Sequence, residues 1–178
     1  AHRLEAGLPR GDWLPPAMES AQGLHDLEAA GRSGVLQSLR VLVELPSGAG
    51  ALTPTGWAAL GRLEARLAAE PEIGSVRSFA RFESERPMSK LLFFSMEAED
   101  RRSWVTEDRR GVLLEAVPRE GVDPHRLLDV AARLRRVDPA AVSNLPGVRL
   151  AVGGLPAFRL DYVNAVAGWL PRVAGLIL

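Results

Sequence analysis

An α+β fold, with one antiparallel four-stranded sheet carrying two helices on a single face, is predicted by a pattern that the chain states twice. Leu39-Arg40-Val41-Leu42-Val43-Glu44-Leu45-Pro46 leads through a Gly/Ala loop to Thr53-Pro54, an Ala/Leu/Arg helix, Pro71 and Ile73-Gly74-Ser75-Val76. The order recurs from Gly111-Val112-Leu113-Leu114-Glu115-Ala116-Val117-Pro118 through Asp123-Pro124, a second Ala/Leu/Arg helix, Pro139 and Pro146 to Val148-Arg149-Leu150-Ala151-Val152. Each copy reads strand, helix, strand. One such unit cannot bury the apolar face of its own helix, so two in one domain share a sheet. The expected product is a ferredoxin-like split βαβ sandwich over residues 38–155, with an insertion at 79–110. A helical segment is expected before it, over 1–37, and a helix after it, over 156–178.

The elements follow in order. A Pro15-Pro16 stop precedes a helix through Met18, Leu24, Leu27 and Ala30, and Gly31 suits its end. Arg40 to Leu45 is rich in valine and leucine, as a buried strand should be. Thr53 can accept a hydrogen bond from the first turn of the next helix, and Pro54 fits the first helical position, where an N–H has no partner. Trp57, Leu60, Leu63 and Leu67 then recur at steps of three and four, forming one apolar stripe. Arg62, Glu64 and Arg66 are expected on the other faces, and Trp57 is read as a core anchor. In the second unit Asp123 caps, Pro124 starts, and Leu127, Ala131 and Leu134 form the stripe. Arg133, Arg135 and Arg136 come late, where cations suit the helix dipole, and are read as a solvated helix end.

The insertion gathers Phe79, Phe82, Met88, Phe93, Phe94, Met96 and Trp104. Leu91-Leu92-Phe93-Phe94 is apolar all round, while Glu97 to Arg102 is charged. Such a segment serves as satellite core or as a surface lining an apolar path.

Catalytic signatures are sparse. His2, His25 and His125 lie far apart, and with no cysteine in the chain there is no thiolate ligand, disulfide or cysteine nucleophile. Gly153-Gly154 lacks the further glycine and lysine of either nucleotide-binding fingerprint. Gly31-Arg32-Ser33-Gly34 is one residue short of a Gly-x-Ser-x-Gly elbow. Glu107-Asp108 precede a strand, where adjacent side chains point apart. The expectation is a protein that is not an enzyme, with no cofactor and no metal. The 22 basic and 22 acidic residues among 178 leave no cationic surplus for phosphates, which argues against nucleic acid as a partner.

The chain starts at Ala1 without a basic and apolar leader, so no signal peptide is read there. It stops on Val173-Ala174-Gly175-Leu176-Ile177-Leu178, an apolar run far short of the roughly 20 residues that a membrane span needs.

Three stretches together resemble an extracytoplasmic porter domain of the resistance-nodulation-division (RND) transporters, in the mycobacterial membrane protein large (MMPL) family. Asp12-Trp13-Leu14-Pro15 with Glu19-Ser20 resembles the segment after the first membrane helix. Arg40 to Val76 resembles the first porter βαβ unit. Gly153-Gly154-Leu155-Pro156-Ala157 through Asp161-Tyr162, then Leu170-Pro171-Arg172-Val173, resembles the last strand turning into the second membrane helix. The resemblance covers nearly the whole chain.

It implies a loop between the first two membrane helices of a proton-driven exporter, on the extracytoplasmic side of the bacterial inner membrane. The implied partners are the remaining membrane helices, a second porter domain and a lipid or hydrophobic cargo, with a homo-oligomer of the parent left open. The proton-coupling acids of that family sit inside the membrane bundle, so Asp161 is read as a helix-start or polar-face residue. Phe93, Phe94, Met96 and Trp104 are the candidates for the cargo path, on composition rather than on a matched motif. Two other readings stay open: a freestanding ferredoxin-like module binding a ligand or a like subunit, and a hydrolase or transferase on the same fold.

Overall fold

The computed structural model describes residues 15–83, 86–87 and 89–177. His2, Asp12, Trp13, Leu14, Met88 and Leu178 lie outside them. The helices are α1 (Glu19–Ala29), α2 (Pro54–Ala68), α3 (Lys90–Ser95), α4 (Ala98–Trp104), α5 (Pro124–Arg135), α6 (Pro139–Ser143) and α7 (Leu155–Ile177). The strands are β1 (Leu39–Glu44), β2 (Ile73–Arg77), β3 (Arg81–Glu83), β4 (Arg86–Pro87), β5 (Gly111–Pro118) and β6 (Arg149–Gly154), and a 3-10 turn at Ser33–Gln37 precedes β1.

The molecule is α+β, built on a four-stranded sheet in the order β2-β5-β1-β6 with every neighbouring pair antiparallel. The two strand-helix-strand units therefore interleave: β5 lies between β1 and β2, and β1 lies between β5 and β6. Strands of one unit run parallel to each other without touching. Leu39 pairs with Ala116 on one side and Gly154 on the other, and Glu44 with Gly111 and Arg149, which fixes the two ends of the sheet.

Alternation decides the faces. Leu39, Val41 and Val43 of β1 and Val112, Leu114 and Ala116 of β5 are buried in one core with Leu60, Leu63 and Leu67 of α2 and Val130, Ala131 and Leu134 of α5. Both helices thus cover the same face. The opposite face carries Leu42, which is 47% exposed, between two charged rows. Arg77 and Glu115 pair at 3.7 Å in one, and Glu44 meets Arg110 at 3.6 Å in the other.

The expected caps form. Thr53 accepts a hydrogen bond from the Gly56 N–H and Asp123 from the His125 N–H, with proline first in both helices. After α1 the Gly31 N–H reaches the Glu28 carbonyl and the Arg32 N–H the Leu27 carbonyl, with Gly31 at φ 65°. Pro139 opens the short helix α6, whose Ser143 carbonyl accepts from Arg62 at 2.9 Å, holding α6 against α2.

Two expectations are corrected. Glu64 is not on an outer face of α2 but buried beneath the turn after β2, where the Ser78 hydroxyl donates to it and Arg81 lies 3.9 Å away. Arg133 and Arg135 are not simply solvated. Arg133 donates to Glu70 at 2.6 Å and Glu72 at 3.0 Å, and Arg135 to Asp161 of α7 at 2.9 Å. Those carboxylates lie tens of residues away in sequence, beyond the reach of helix periodicity.

Candidate functional site

The insertion folds back against the core instead of standing apart from it. Lys90 starts α3 and donates its Nζ to the Leu52 carbonyl at 2.9 Å, with the same ammonium 5.2 Å from the centre of the Trp57 ring. Trp57 meets Phe79 edge-on at 5.2 Å, Phe79 meets Phe93 at 5.0 Å, and Phe93 meets Phe94 at 6.0 Å. This aromatic chain leads from α2 to the surface.

Its outer end borders an open groove of about 500 Å3. Leu52, Phe93 and Val105 form the apolar floor, and Phe94, Arg101 and Arg109 contribute to the rim. Arg101 is held by the carbonyls of Phe94 (3.1 Å) and Met96, which ties the end of α3 to α4. Arg109 adopts φ 57°, its N–H bonding the Thr106 carbonyl at 2.9 Å and its own carbonyl accepting from Ala51 at 2.8 Å. Asp108 braces that turn. The Thr106 hydroxyl and the Arg110 N–H donate to its carboxyl and hold it below the usual carboxylate range.

The four candidates divide. Phe93 is only 4% exposed and belongs to the core, reaching the groove as part of its floor. Phe94, 52% exposed, lines the groove directly. Met96 and Trp104 are half-buried against the core and lie outside the groove lining. Leu91 and Leu92 of α3 are exposed beside Phe94, so α3 presents an apolar surface to solvent.

Leu52 and the rim arginines were not legible as site residues. Leu52 lies in the loop before α2, far from the insertion in sequence, and long-range bonds from Lys90 to its carbonyl and from the Ala51 N–H to Arg109 bring the two together.

The groove can hold an apolar body under cationic rim groups. Its one carboxylate, Glu107, is paired with Arg102 at 3.1 Å, both side chains largely in solvent. Among the described residues no three His, Cys, Asp or Glu side chains converge as a metal site would require.

Searched against models of known protein families the chain matches none, and it matches no curated protein.

Proposed function

We propose that the chain is a ferredoxin-like porter domain on the extracytoplasmic side of an RND transporter of the MMPL type, serving the export of lipids or other hydrophobic compounds. The observation that carries this reading is the junction of β6 with α7. Strand β6 ends at Gly154 and α7 begins at Leu155 with no loop between them. From Tyr162 to Ile177 the only charged residue of α7 is Arg172. A helix that leaves its sheet directly and turns apolar on every side suits an approach to a bilayer. Phe158, Tyr162 and Trp169 are exposed along it. Among the described residues no helix is long and apolar enough to cross a membrane, so on this reading α7 is the approach and the span continues past Leu178.

The interleaved sheet order supports the ferredoxin-like assignment, and the groove beside α3 suits a cargo with a hydrophobic body. The domain then acts without chemistry of its own, as a gate working with the membrane helices and a second porter domain.

Sequencing the coding region on both sides tests it. The expected result is an apolar stretch of about 20 residues continuing α7, another ending before Ala1, and a second loop of this type further on. A stop codon directly after Leu178, with no span before Ala1, overturns the reading.

One observation favours a freestanding module instead: the open sheet face with Leu42 at its centre, on which a second copy or a ligand would sit. That alternative requires a stable oligomer or a bound ligand, and a ligand-free monomer in sedimentation at high concentration removes it.

A further inference from the structure

Arg109 holds a backbone conformation that its side chain does not favour. Its φ of 57° is left-handed, and among the described non-glycine residues it shares that region only with Asn144, whose short amide tolerates it. The turn is fixed from both sides, by the Thr106 carbonyl at 2.9 Å and by the N–H of buried Ala51 at 2.8 Å. Glycine would cost least here, yet the position carries an exposed cation that lines the groove. Strain of this kind clusters at ligand sites, where the side chain it keeps in place is the one that is used.

The charges around the groove do not cancel. Arg101, Arg102 and Arg109 line it against one carboxylate, Glu107, which Arg102 already holds at 3.1 Å. Arg101 donates to the main-chain carbonyls of Phe94 and Met96, which position it without neutralising it. Neither Arg101 nor Arg109 forms an ion pair with another described residue. Asp108 is outside the lining, its carboxyl engaged by the Thr106 hydroxyl and the Arg110 N–H. Three cations against one anion leave the lining two positive charges in excess, in a chain whose formal charge is zero.

The rest of the groove is apolar. Leu52, Phe93 and Val105 form its floor, exposed Phe94 stands beside them, and exposed Leu91 and Leu92 extend the apolar surface along α3. A guanidinium only donates, and an anionic oxygen makes the stronger acceptor. The volume of about 500 Å3 lies within the roughly 300–1,000 Å3 of small-molecule sites.

We propose that the groove binds a single-chain anionic lipid, its head group on Arg109 and Arg101 and its alkyl chain over Phe94 and the Leu52–Val105 floor. This names the class of cargo at the site already described. The role as cargo rests on the transport reading, whereas the binding does not.

Titration of the isotopically labelled full chain with decyl phosphate, decyl maltoside, decyltrimethylammonium and inorganic phosphate tests it, with the detergents kept below their micelle concentrations and amide chemical shifts as the readout. Decyl phosphate should give saturable shifts at Phe94, Arg101 and Arg109. Decyl maltoside and inorganic phosphate each keep half of the match and should bind at least about tenfold more weakly. The cationic probe should not saturate. R109G removes the charge and relieves the left-handed strain, so it should melt no lower than wild type yet bind decyl phosphate about fivefold more weakly. R109N, which also tolerates the turn, gives the same comparison should R109G not fold. No saturable shift with decyl phosphate, inorganic phosphate binding as well as decyl phosphate, or unchanged affinity in the Arg109 variants overturns the proposal. Equal binding of decyl phosphate and decyl maltoside overturns the anionic class and leaves the transport reading standing, since the flanking coding sequence decides that separately.

Discussion

Glu70, at the end of α2, receives both Nε and Nη2 of Arg133 from α5 on one carboxylate oxygen, at 3.0 and 2.6 Å, while Arg66 holds the other oxygen at 2.7 Å. The carboxylate is 4% exposed, so the two core helices are fastened by a nearly buried charge. Burial alone would raise its pKa, but donation from Arg133 and Arg66 outweighs this and holds it below the ordinary 4.5. A depressed carboxyl stabilises the fold above its unfolded pKa, and that contribution is lost as pH falls below about 4.5.

R133M should therefore lower unfolding stability at neutral pH by about 1–2 kcal/mol, the partial exposure of Arg133 limiting the loss. The difference between wild type and variant should shrink under acid. Urea unfolding at several pH values measures it, and a constant difference across that range would exclude the ionic link.

Glu64 behaves with the opposite sign. Burial raises its pKa, against the opposing effects of the Ser78 hydroxyl and the Arg81 charge. The unfolded chain ionises near 4.5 while the folded chain resists, so stability falls as pH rises above that value until the folded group also ionises. E64Q keeps an acceptor for Ser78 and removes the charge. Its melting temperature should match wild type in acid and exceed it at neutral pH. Parallel profiles would show that Glu64 ionises in the fold without penalty.

Gly154 has φ 90°, and a Cβ there would sit 2.4 Å from the Ser38 carbonyl oxygen. G154A should cost at least about 2 kcal/mol, from left-handed strain and backbone collision together. G61A is the matched control, because Gly61 lies in α2 with nothing within 4 Å of the added carbon. It should be neutral or stabilise by up to about 1 kcal/mol. Equal effects at the two sites would mean that the β6–α7 junction relaxes freely.

Phe93 and Phe94 are adjacent and should respond differently. F93A opens the aromatic core and should cost about 3–5 kcal/mol. F94S should stay within about 0.5 kcal/mol of wild type, since its ring is half in solvent. On the proposed transport reading, F94S in the full-length protein should nevertheless reduce export at unchanged protein abundance. Full export activity would remove Phe94 from the cargo path.

Local grammar carried the backbone plan. Thr53-Pro54 and Asp123-Pro124 mark helix starts by short-range hydrogen bonding, and the repeated strand-helix-strand order anticipates a shared sheet. Relationships across the sheet were hidden. Glu64 reads as a polar-face residue from periodicity because its partners, Ser78 and Arg81, arrive only after β2 has returned to the sheet. The burial of Phe93 beside exposed Phe94 depends on which face of α3 meets Phe79, and an all-apolar run conceals that choice.

The loopless junction at Gly154 has a mechanical consequence. Strand β6 is bonded to β1 on one side only. The 23-residue α7 extends from it as an arm about 35 Å long. A swing of about 10° at the junction would carry the far tip through roughly 6 Å over that length. The Arg135–Asp161 pair braces the arm near its root, leaving most of its length free to turn. Force applied at the tip would thus reach the sheet as torque on its edge strand, resisted by the packing of Ala157 and Leu160 against the core together with the Arg135–Asp161 pair.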